Sequence, residues 1–158
     1  ARLSDIKGRR LLAGIVITAM TLSGVLTLGR EAVSQYELFP KGEIEAAEFI
    51  DKNLPADCII LTGVHHNNAV AALTGRNIVC GSPSYLYYHG LDYTGAQRDA
   101  QEMLTDAEAF ERLRGEYKIG YVYFGSAERM LDGNIYGYLA ENYPAVFDSC
   151  TVTIFDLR

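Results

Sequence analysis

The fold of this chain is decided by residues 117–129, which read YKIGYVYFGSAER. The run 117–124 is apolar and rich in aromatic residues, as a buried strand is, and Gly125 opens a polar segment directly after it. An earlier run, CIILT at 58–62, has the same character and is followed by Gly63. Both runs therefore predict strands of the core sheet.

Helices and further strands are predicted around these two runs. They are a helix over 43–54, a short helix from Asn67 or Asn68 to Gly75, a strand over 77–80, two helices with capping boxes at Thr94 and Thr105, a helix after Asn134, and two closing strands at 145–147 and 151–155. Strands that alternate with helices predict parallel βαβ units. The predicted fold class is α/β: a small sandwich with a mostly parallel sheet and an antiparallel edge strand, with the last strand at that edge.

A long apolar stretch precedes the predicted sheet. Residues 11–29 read LLAGIVITAMTLSGVLTLG and carry no formal charge. A helix of this length, at about 1.5 Å per residue, nearly crosses a hydrocarbon layer of roughly 30 Å. The stretch predicts one transmembrane helix. A cleaved signal peptide, which has a shorter apolar region and begins with Met, and a buried helix of a soluble protein are the alternatives.

The charges that flank this stretch predict its orientation. Lys7, Arg9 and Arg10 precede it, whereas Arg30 beside Glu31 follows it, and basic residues concentrate on the cytoplasmic side of a span. We therefore expect a cytoplasmic flank at 1–10, the span at 11–29, a juxtamembrane linker at 30–42 and an extracytoplasmic α/β domain at 43–158. Because the sequence starts without Met, we expect the last span and C-terminal domain of a larger protein of the cell membrane.

The composition is that of a globular chain. The 158 residues are 49% hydrophobic and carry 20 acidic and 14 basic side chains, which gives a formal net charge of −6. These values argue against a disordered chain and against a disulfide-rich miniprotein. The acidic balance, with the basic cluster placed directly before the span, argues against nucleic acid as a partner.

Three polar segments follow predicted strands. They are GVHHNN at 63–68, GSPSYLYYHG at 81–90 and GSAERM at 125–130. Ligands of open α/β sheets collect beyond the carboxyl ends of the strands, an edge that we call the carboxyl rim. The candidate ligand-binding residues are His65, His66, Arg76, Tyr87, His89, Arg98 and Glu128. All of these except Arg76 are expected to line one polar cleft at the carboxyl rim.

Several of these residues have plainer interpretations. Adjacent histidines on an extended segment point to opposite sides, so a metal site would need His89 or Glu128 in addition to His65 or His66. Solvated loop histidines are the alternative. The arginines could instead hold carboxylates such as Glu128 or Asp92.

Known catalytic motifs are absent from the sequence. It contains no HExxH, paired-cysteine, GxSxG, phosphate-loop or dinucleotide motif, so no catalytic residue, metal site or cofactor is predicted. Cys58 and Cys150 lie within predicted strands and Cys80 ends one, which favours buried thiols. A Cys58–Cys80 disulfide is the alternative if their strands are neighbours.

Several segments together resemble a known family. They are FIDKNLPADCIILTG at 49–63, AALTGR at 71–76, YYHGLDY at 87–93, Arg98 at the start of a helix, and YKIGYVYFGSAER. These segments resemble the C-terminal extracytoplasmic domain of GT-C superfamily membrane glycosyltransferases of the polyprenyl-phosphate-sugar-dependent type. The resemblance covers roughly 43–155, and the preceding stretch matches the last transmembrane helix of such proteins. The positions that carry it are Gly75 with Arg76, His89 with Gly90, Arg98, and Glu128 with Arg129.

The resemblance implies recognition without catalysis. The catalytic acidic residue of that superfamily typically lies in an early extracytoplasmic loop that this sequence does not include. The chain would help to recognise a glycan acceptor or a polyprenyl-phosphate sugar, beside the membrane-embedded part of its parent protein. An interaction or stabilising domain of a membrane protein explains the missing motifs equally well. A metal-dependent hydrolase is the enzymatic alternative.

Overall fold

A computed structural model describes the backbone of residues 2–34 and 36–158, and the side chains within those ranges from residue 8 onward. Ala1, in the predicted flank, and Gln35, in the predicted linker, lie outside the described residues. The chain divides into two compact units, residues 1–37 and 38–158.

The first unit is one continuous helix, α1, Arg2–Val33. Its part from Gly8 to Val33, 26 residues, is long and apolar enough to cross a membrane by length and composition. The hydroxyls of Thr21 and Thr27 donate to backbone carbonyls four residues earlier in the helix. These polar groups therefore have partners inside the helix, as an apolar environment requires. A continuous helix over 11–29 is confirmed.

The second unit contains a five-stranded sheet. The strands are β1 Ile59–Leu61, β2 Asn77–Ile78, β3 Ile119–Phe124, β4 Ala145–Asp148 and β5 Thr153–Asp156. Their order in the sheet is β2-β1-β3-β5-β4. β1 pairs in parallel with β2 and β3, whereas β5 pairs antiparallel with β3 and β4. The sheet confirms the predicted α/β class with an antiparallel edge strand.

The antiparallel edge strand is β4, so the prediction that the last strand lies at that edge is wrong. Ile154 and Phe155 of β5 are fully or almost fully buried. Val146 of β4 is exposed. A strand with buried residues on both faces belongs inside a sheet, which explains why β5 inserts between β3 and β4.

Helices cover both faces of this sheet. They are α2 Lys41–Asn53, α3 Pro83–Tyr88, α4 Thr94–Thr105, α5 Ala107–Leu113, α6 Ser126–Arg129 and α7 Tyr136–Asn142, with a π-helical turn at Val70–Thr74. Asn68 caps that turn, because its Oδ1 accepts from Ala71 N at 3.1 Å, and Gly75 ends it with φ of 62°. Both of these features were predicted.

The predicted capping boxes are wrong. No side-chain cap is formed at the start of α4, where Asp92 instead accepts from Thr94 N at 3.1 Å. At α5, the capping residue is Asp106, whose carboxylate accepts from Glu108 N at 2.9 Å. An Asp side chain directly before the helix competes successfully with the threonine one residue earlier.

The core has two parts, one on each face of the sheet. Val122 and Phe124 of β3 pack with Met103 of α4 and Phe110 of α5. On the opposite face, Tyr121 and Tyr123 of β3 pack with Ala46 and Ile50 of α2. β3 is therefore buried on both faces, as the apolar run of residues 117–124 predicts.

The three cysteines are free. β1 and β2 are neighbours, but Cys58 precedes β1 and Cys80 follows β2, and Ile59 pairs with Asn77. Along a parallel pair this register separates the two thiols by about four residues, or roughly 13 Å. That distance is too large for a disulfide.

Candidate ligand site at the carboxyl rim

Glu128 is the centre of a polar cluster at the carboxyl rim. Its side chain is only 1% exposed. Both carboxylate oxygens accept backbone hydrogen bonds, Oε1 from Gly63 N at 2.7 Å and Oε2 from Gly125 N at 2.9 Å. Because these glycines lie directly beyond β1 and β3, Glu128 ties together the two loops that leave the central strands. The hydrogen bonds also supply the partners that a buried carboxylate requires.

The two glycines are required by this close approach. A Cβ atom on Gly63 would lie 2.9 Å from Glu128 Oε1 and 3.2 Å from His65 Nδ1. A Cβ atom on Gly125 would lie 2.8 Å from the ring of Tyr123 and 3.1 Å from Glu128 Oε2. Only a residue without a side chain lets each amide reach the carboxylate without displacing its neighbours.

The loop after β1 completes the cluster. Asn68 Nδ2 donates to Gly63 O at 3.0 Å and to the Thr62 hydroxyl. Thr62 Oγ1 donates to Glu128 Oε1 at 3.4 Å. His65 Nδ1 lies 3.9 Å from the same oxygen, and 34% of the His65 side chain is exposed. His65 therefore presents a polar edge that a ligand can reach.

Two further ionisable groups face this cluster from α2 and β3. Burial raises the pKa of Glu43, while His65 lowers it and Glu128 raises it. Burial also raises the pKa of Tyr123, and the charges of Glu43 and Glu128 add to the increase. The Tyr123 hydroxyl is buried and has no hydrogen-bond partner among the described residues. A buried hydroxyl of this kind is a donor that a water molecule or a ligand group would satisfy.

A shallow cavity of about 210 Å³ opens beside the cluster. It is lined by Gly63, Val64 and His65 of the loop after β1, by Gln101 and Leu104 of α4, by Ala127 and Glu128 of α6, and by Leu131. Small-molecule pockets usually measure roughly 300–1,000 Å³. This cavity therefore suits one ring of a ligand and leaves the remainder of that ligand outside.

Three other predicted residues lie near α3. Nε2 of His66 lies 3.1 Å from the hydroxyl of Tyr85, and the two rings stack with centroids 4.7 Å apart. Tyr87 and His89, on α3 and at its end, are exposed. No hydrogen bond or ion pair among the described side chains joins these groups to Glu128. Their ligand-binding roles stay predictions.

Arg76 lies at the opposite edge of the sheet, directly before β2. Its Nη2 donates to the carbonyls of Asp51 and Leu54, each at 3.3 Å, and lies 3.6 Å from the Asp51 carboxylate. A cation at the C-terminal turn of a helix is favourable because the last carbonyls point outward. Arg76 therefore closes α2 and does not pair with Glu128, which lies at the other end of the strands.

Arg98 lies on the exposed face of α4. Its guanidinium is 2.9 Å from Asp99 and 3.8 Å from Glu102, and 70% of the side chain is exposed. Tyr117 donates to Asp99 at 2.7 Å, and the hydrogen bonds from Tyr117 and Arg98 lower the pKa of Asp99. The partners of Arg98 thus lie within one helical turn, and Asp92 is not one of them. Its ligand-binding role also stays a prediction.

The chain enters the second unit at the carboxyl rim. Gly42, at the start of α2, packs so closely against the Thr151 hydroxyl that a side chain there would collide with it. Thr151 lies just before β5, whose residue Thr153 pairs with Phe124 at the end of β3. The linker therefore joins the domain at the same edge that holds Glu128.

Four side chains of the polar cluster were not predicted as site residues: Glu43, Thr62, Asn68 and Tyr123. Thr62 and Tyr123 belong to runs that read only as buried strands. The sequence did contain a signal for Tyr123. It lies two positions after Tyr121 on the same strand, so the two side chains face the same side of the sheet, which is the side that α2 covers. Nothing in the sequence places Glu43 near a strand end.

A larger cavity, of about 620 Å³, lies at the amino edge of the sheet. Arg114 and Arg158 line it, but they pair with Glu111 at 2.8 Å and with Asp156 at 3.0 Å. None of the predicted site residues lines this cavity. Among the residues that the structure describes, no group of three His, Cys, Asp or Glu side chains is arranged to hold a metal ion.

No protein-family profile matches the chain, and no curated protein matches it in sequence. Among solved structures, the chain is similar to the C-terminal globular domain of an oligosaccharyltransferase from Archaeoglobus fulgidus. The TM-score is 0.54 at 13% sequence identity, and the similarity covers 76% of this chain and 99% of that chain. At this identity the likeness is one of fold. The chain thus shares the fold of that C-terminal globular domain.

Proposed function

We propose that this chain is the membrane anchor and extracytoplasmic accessory domain of a GT-C-type membrane glycosyltransferase. The observation that carries the proposal is the fold likeness to the C-terminal globular domain of an oligosaccharyltransferase. Helix α1, which is long and apolar enough to cross a membrane, supports it. The basic residues before the span support the extracytoplasmic side for the domain.

The carboxyl rim is the proposed recognition surface, for a glycan acceptor or for the sugar of a polyprenyl-phosphate donor. His65 offers a partly exposed imidazole, which can donate to or accept from a sugar hydroxyl. Glu128 is already engaged by two backbone amides, so its proposed role is to position the loops that carry His65. The cavity of about 210 Å³ would hold one sugar ring.

Such a surface would act by orientation. Transfer from a lipid carrier takes place close to the bilayer, and the linker joins the domain at the carboxyl rim. Contacts at this rim would therefore hold one substrate near the membrane-embedded part of the parent protein. Correct orientation of a bound substrate lowers the barrier without any chemical group from the domain itself.

The test uses the three histidines of the chain as reporters. The full chain in phosphatidylcholine nanodiscs is labelled with ¹⁵N at histidine and titrated with a short-chain polyprenyl-phosphate sugar, with the same polyprenyl phosphate without sugar, and with a neutral oligosaccharide. We expect the His65 imidazole to shift with one of the two sugar probes. His89, outside the cavity, is the internal reference. A shift of His89 as well would extend the site to the broader cleft predicted from the sequence.

The matched variants are His65→Ala and His89→Ala. In the parent glycosyltransferase, His65→Ala should raise KM for the recognised substrate more than it lowers kcat, because a recognition contact is made in both the ground state and the transition state. No imidazole response to any probe, together with unchanged KM in His65→Ala, would contradict the proposal. That result would favour the interaction-domain alternative.

A further inference from the structure

We propose that the end of α3 and the turn after it form a lipid-contacting patch. The patch consists of Tyr87, Tyr88 and Leu91 and is called the α3 patch below. It is assigned to the interfacial layer of the bilayer, where headgroups meet acyl chains. The assignment goes beyond ligand recognition and depends on the structure of the second unit and on the length of the linker.

The α3 patch is exposed and uncharged. The exposed fractions are 67% for Tyr87, 84% for Tyr88 and 57% for Leu91. The segment 83–91 contains no Asp, Glu, Lys or Arg. Tyrosine has an apolar ring and a hydroxyl, which suits the boundary between hydrocarbon and water. An uncharged segment can also enter that boundary without the cost of desolvating an ion.

The patch is held rigidly by the fold. Leu86, on the inner side of α3, packs against the core of the domain. The turn is closed by hydrogen bonds from Leu91 N to Leu86 O and from Gly90 N to Tyr87 O, each of 3.0 Å. Gly90 has φ of 68°, the left-handed conformation that ends a helix in this type of closure. The closure leaves the Leu91 side chain exposed at the surface.

The linker keeps the domain close to the bilayer. Only residues 34–40 separate α1 from α2, and even fully extended they reach at most about 25 Å. A flexible segment of this length has an average span of roughly 15 Å. A domain of about 120 residues has a radius of gyration of about 14 Å. With α1 in the bilayer, as the proposed function has it, one side of the domain would therefore lie at or near the headgroups.

We assign that side to the carboxyl rim. The linker enters the domain where Gly42 packs against Thr151, next to the end of β3. α3 begins five residues after β2 ends at Ile78. β2 and β3 are both parallel to β1, so the carboxyl ends of all three strands lie at the same edge. The α3 patch and the point of attachment thus belong to the same edge of the sheet. An apolar patch on a tethered edge is best covered by the lipid surface that the tether keeps within reach.

The test introduces a fluorescent probe into a chain that contains no tryptophan. Tyr88→Trp and Leu91→Trp are made separately in the full chain, and Val146→Trp on β4 is the matched control. Val146 is 36% exposed and lies on the edge strand furthest from β2. Each variant is reconstituted alone in phosphatidylcholine nanodiscs with and without acyl-brominated lipid, and circular dichroism confirms its fold.

We expect brominated lipid to cause a loss of emission and a blue shift for Tyr88→Trp and Leu91→Trp, and neither effect for Val146→Trp. The loss should persist at high salt, because the patch carries no charge to be screened. The proposal would be overturned if brominated lipid left the emission of both α3 variants unchanged and acrylamide quenched them as strongly as it quenches Val146→Trp. The nanodiscs contain no other protein, so a patch that stays exposed to water in them would be one that a protein partner covers. The histidine titration is unaffected by this outcome, so the two proposals fail separately.

Discussion

Replacement of Glu128 by glutamine should destabilise the second unit strongly, although the volume of the side chain is conserved. The carboxylate accepts from Gly63 N at 2.7 Å and from Gly125 N at 2.9 Å. A glutamine amide offers one oxygen, so its NH₂ group would face one of these two N–H donors. The variant therefore loses one charge-assisted hydrogen bond and leaves one buried donor without a partner.

The magnitude follows from these two losses. A hydrogen bond to a charged group contributes about 1.5–3 kcal/mol, and an unsatisfied buried donor costs about 1–3 kcal/mol. Because the terms overlap, we expect Glu128→Gln to lower the free energy of unfolding by about 2–3 kcal/mol. Glu128→Ala removes both acceptors and leaves a cavity, so the loss should reach about 4–5 kcal/mol.

The assay is urea unfolding of the full chain in detergent micelles, followed by the near-ultraviolet circular dichroism of its 11 tyrosines. With a slope of about 1–3 kcal/mol per molar urea, Glu128→Gln should move the midpoint down by about 0.7–3 M. The control is Glu116→Gln, which removes an exposed carboxylate. If Glu128→Gln unfolds within about 0.5 kcal/mol of this control, the carboxylate does not hold the two loops together.

Four further substitutions test the roles of other residues in the second unit. Burial raises the pKa of Glu43 above its ordinary 4.5, so the ionised carboxylate opposes folding. Glu43→Gln should therefore raise Tm at pH 7. This gain should vanish as the pH falls below about 4, where the carboxyl group is protonated in the folded and the unfolded chain. Gly63→Ala should cost about 1–3 kcal/mol because its Cβ meets Glu128 Oε1, whereas Gly137→Ala, with open space in α7, should stabilise by up to about 1 kcal/mol. Arg76→Lys keeps the charge but loses the planar fork, and urea unfolding should show a loss of about 1 kcal/mol; unchanged stability would speak against its role in closing α2.

The architecture could be predicted where one signal dominates locally. The run of 117–124 is apolar throughout, so its burial on both faces follows from composition alone, and β3 is indeed the central strand. Asn68 and Gly75 mark the ends of a helical turn because side-chain capping and positive φ are properties of single residues. The position of β5 could not be predicted, since AVFD of β4 and TIFD of β5 have similar patterns. Which of the two pairs with β3 depends on contacts across the whole sheet.

The candidate site was predictable in part for the same reason. His65 and Glu128 meet because each follows a central strand, and the ends of parallel neighbours lie at one edge. Arg98 has acidic residues one and four positions later in the sequence, and this local pairing keeps it on the surface of α4. The polar segment after β2 was not predicted to contain a helix, but Pro83 begins α3 there, and Tyr87 lies on that helix.

The polar cluster also shows why a buried charge at the carboxyl rim need not be the group that contacts a ligand. Glu128 has the burial expected of an active-site carboxylate, yet both of its oxygens are engaged by backbone amides of the two loops. Further ligand contacts would have to compete with bonds that hold those loops in place. His65, whose Nδ1 lies 3.9 Å from Glu128 Oε1, has a side chain that is 34% exposed. Within the proposed function, recognition is therefore assigned to His65, and Glu128 is assigned the role of holding the two loops in position.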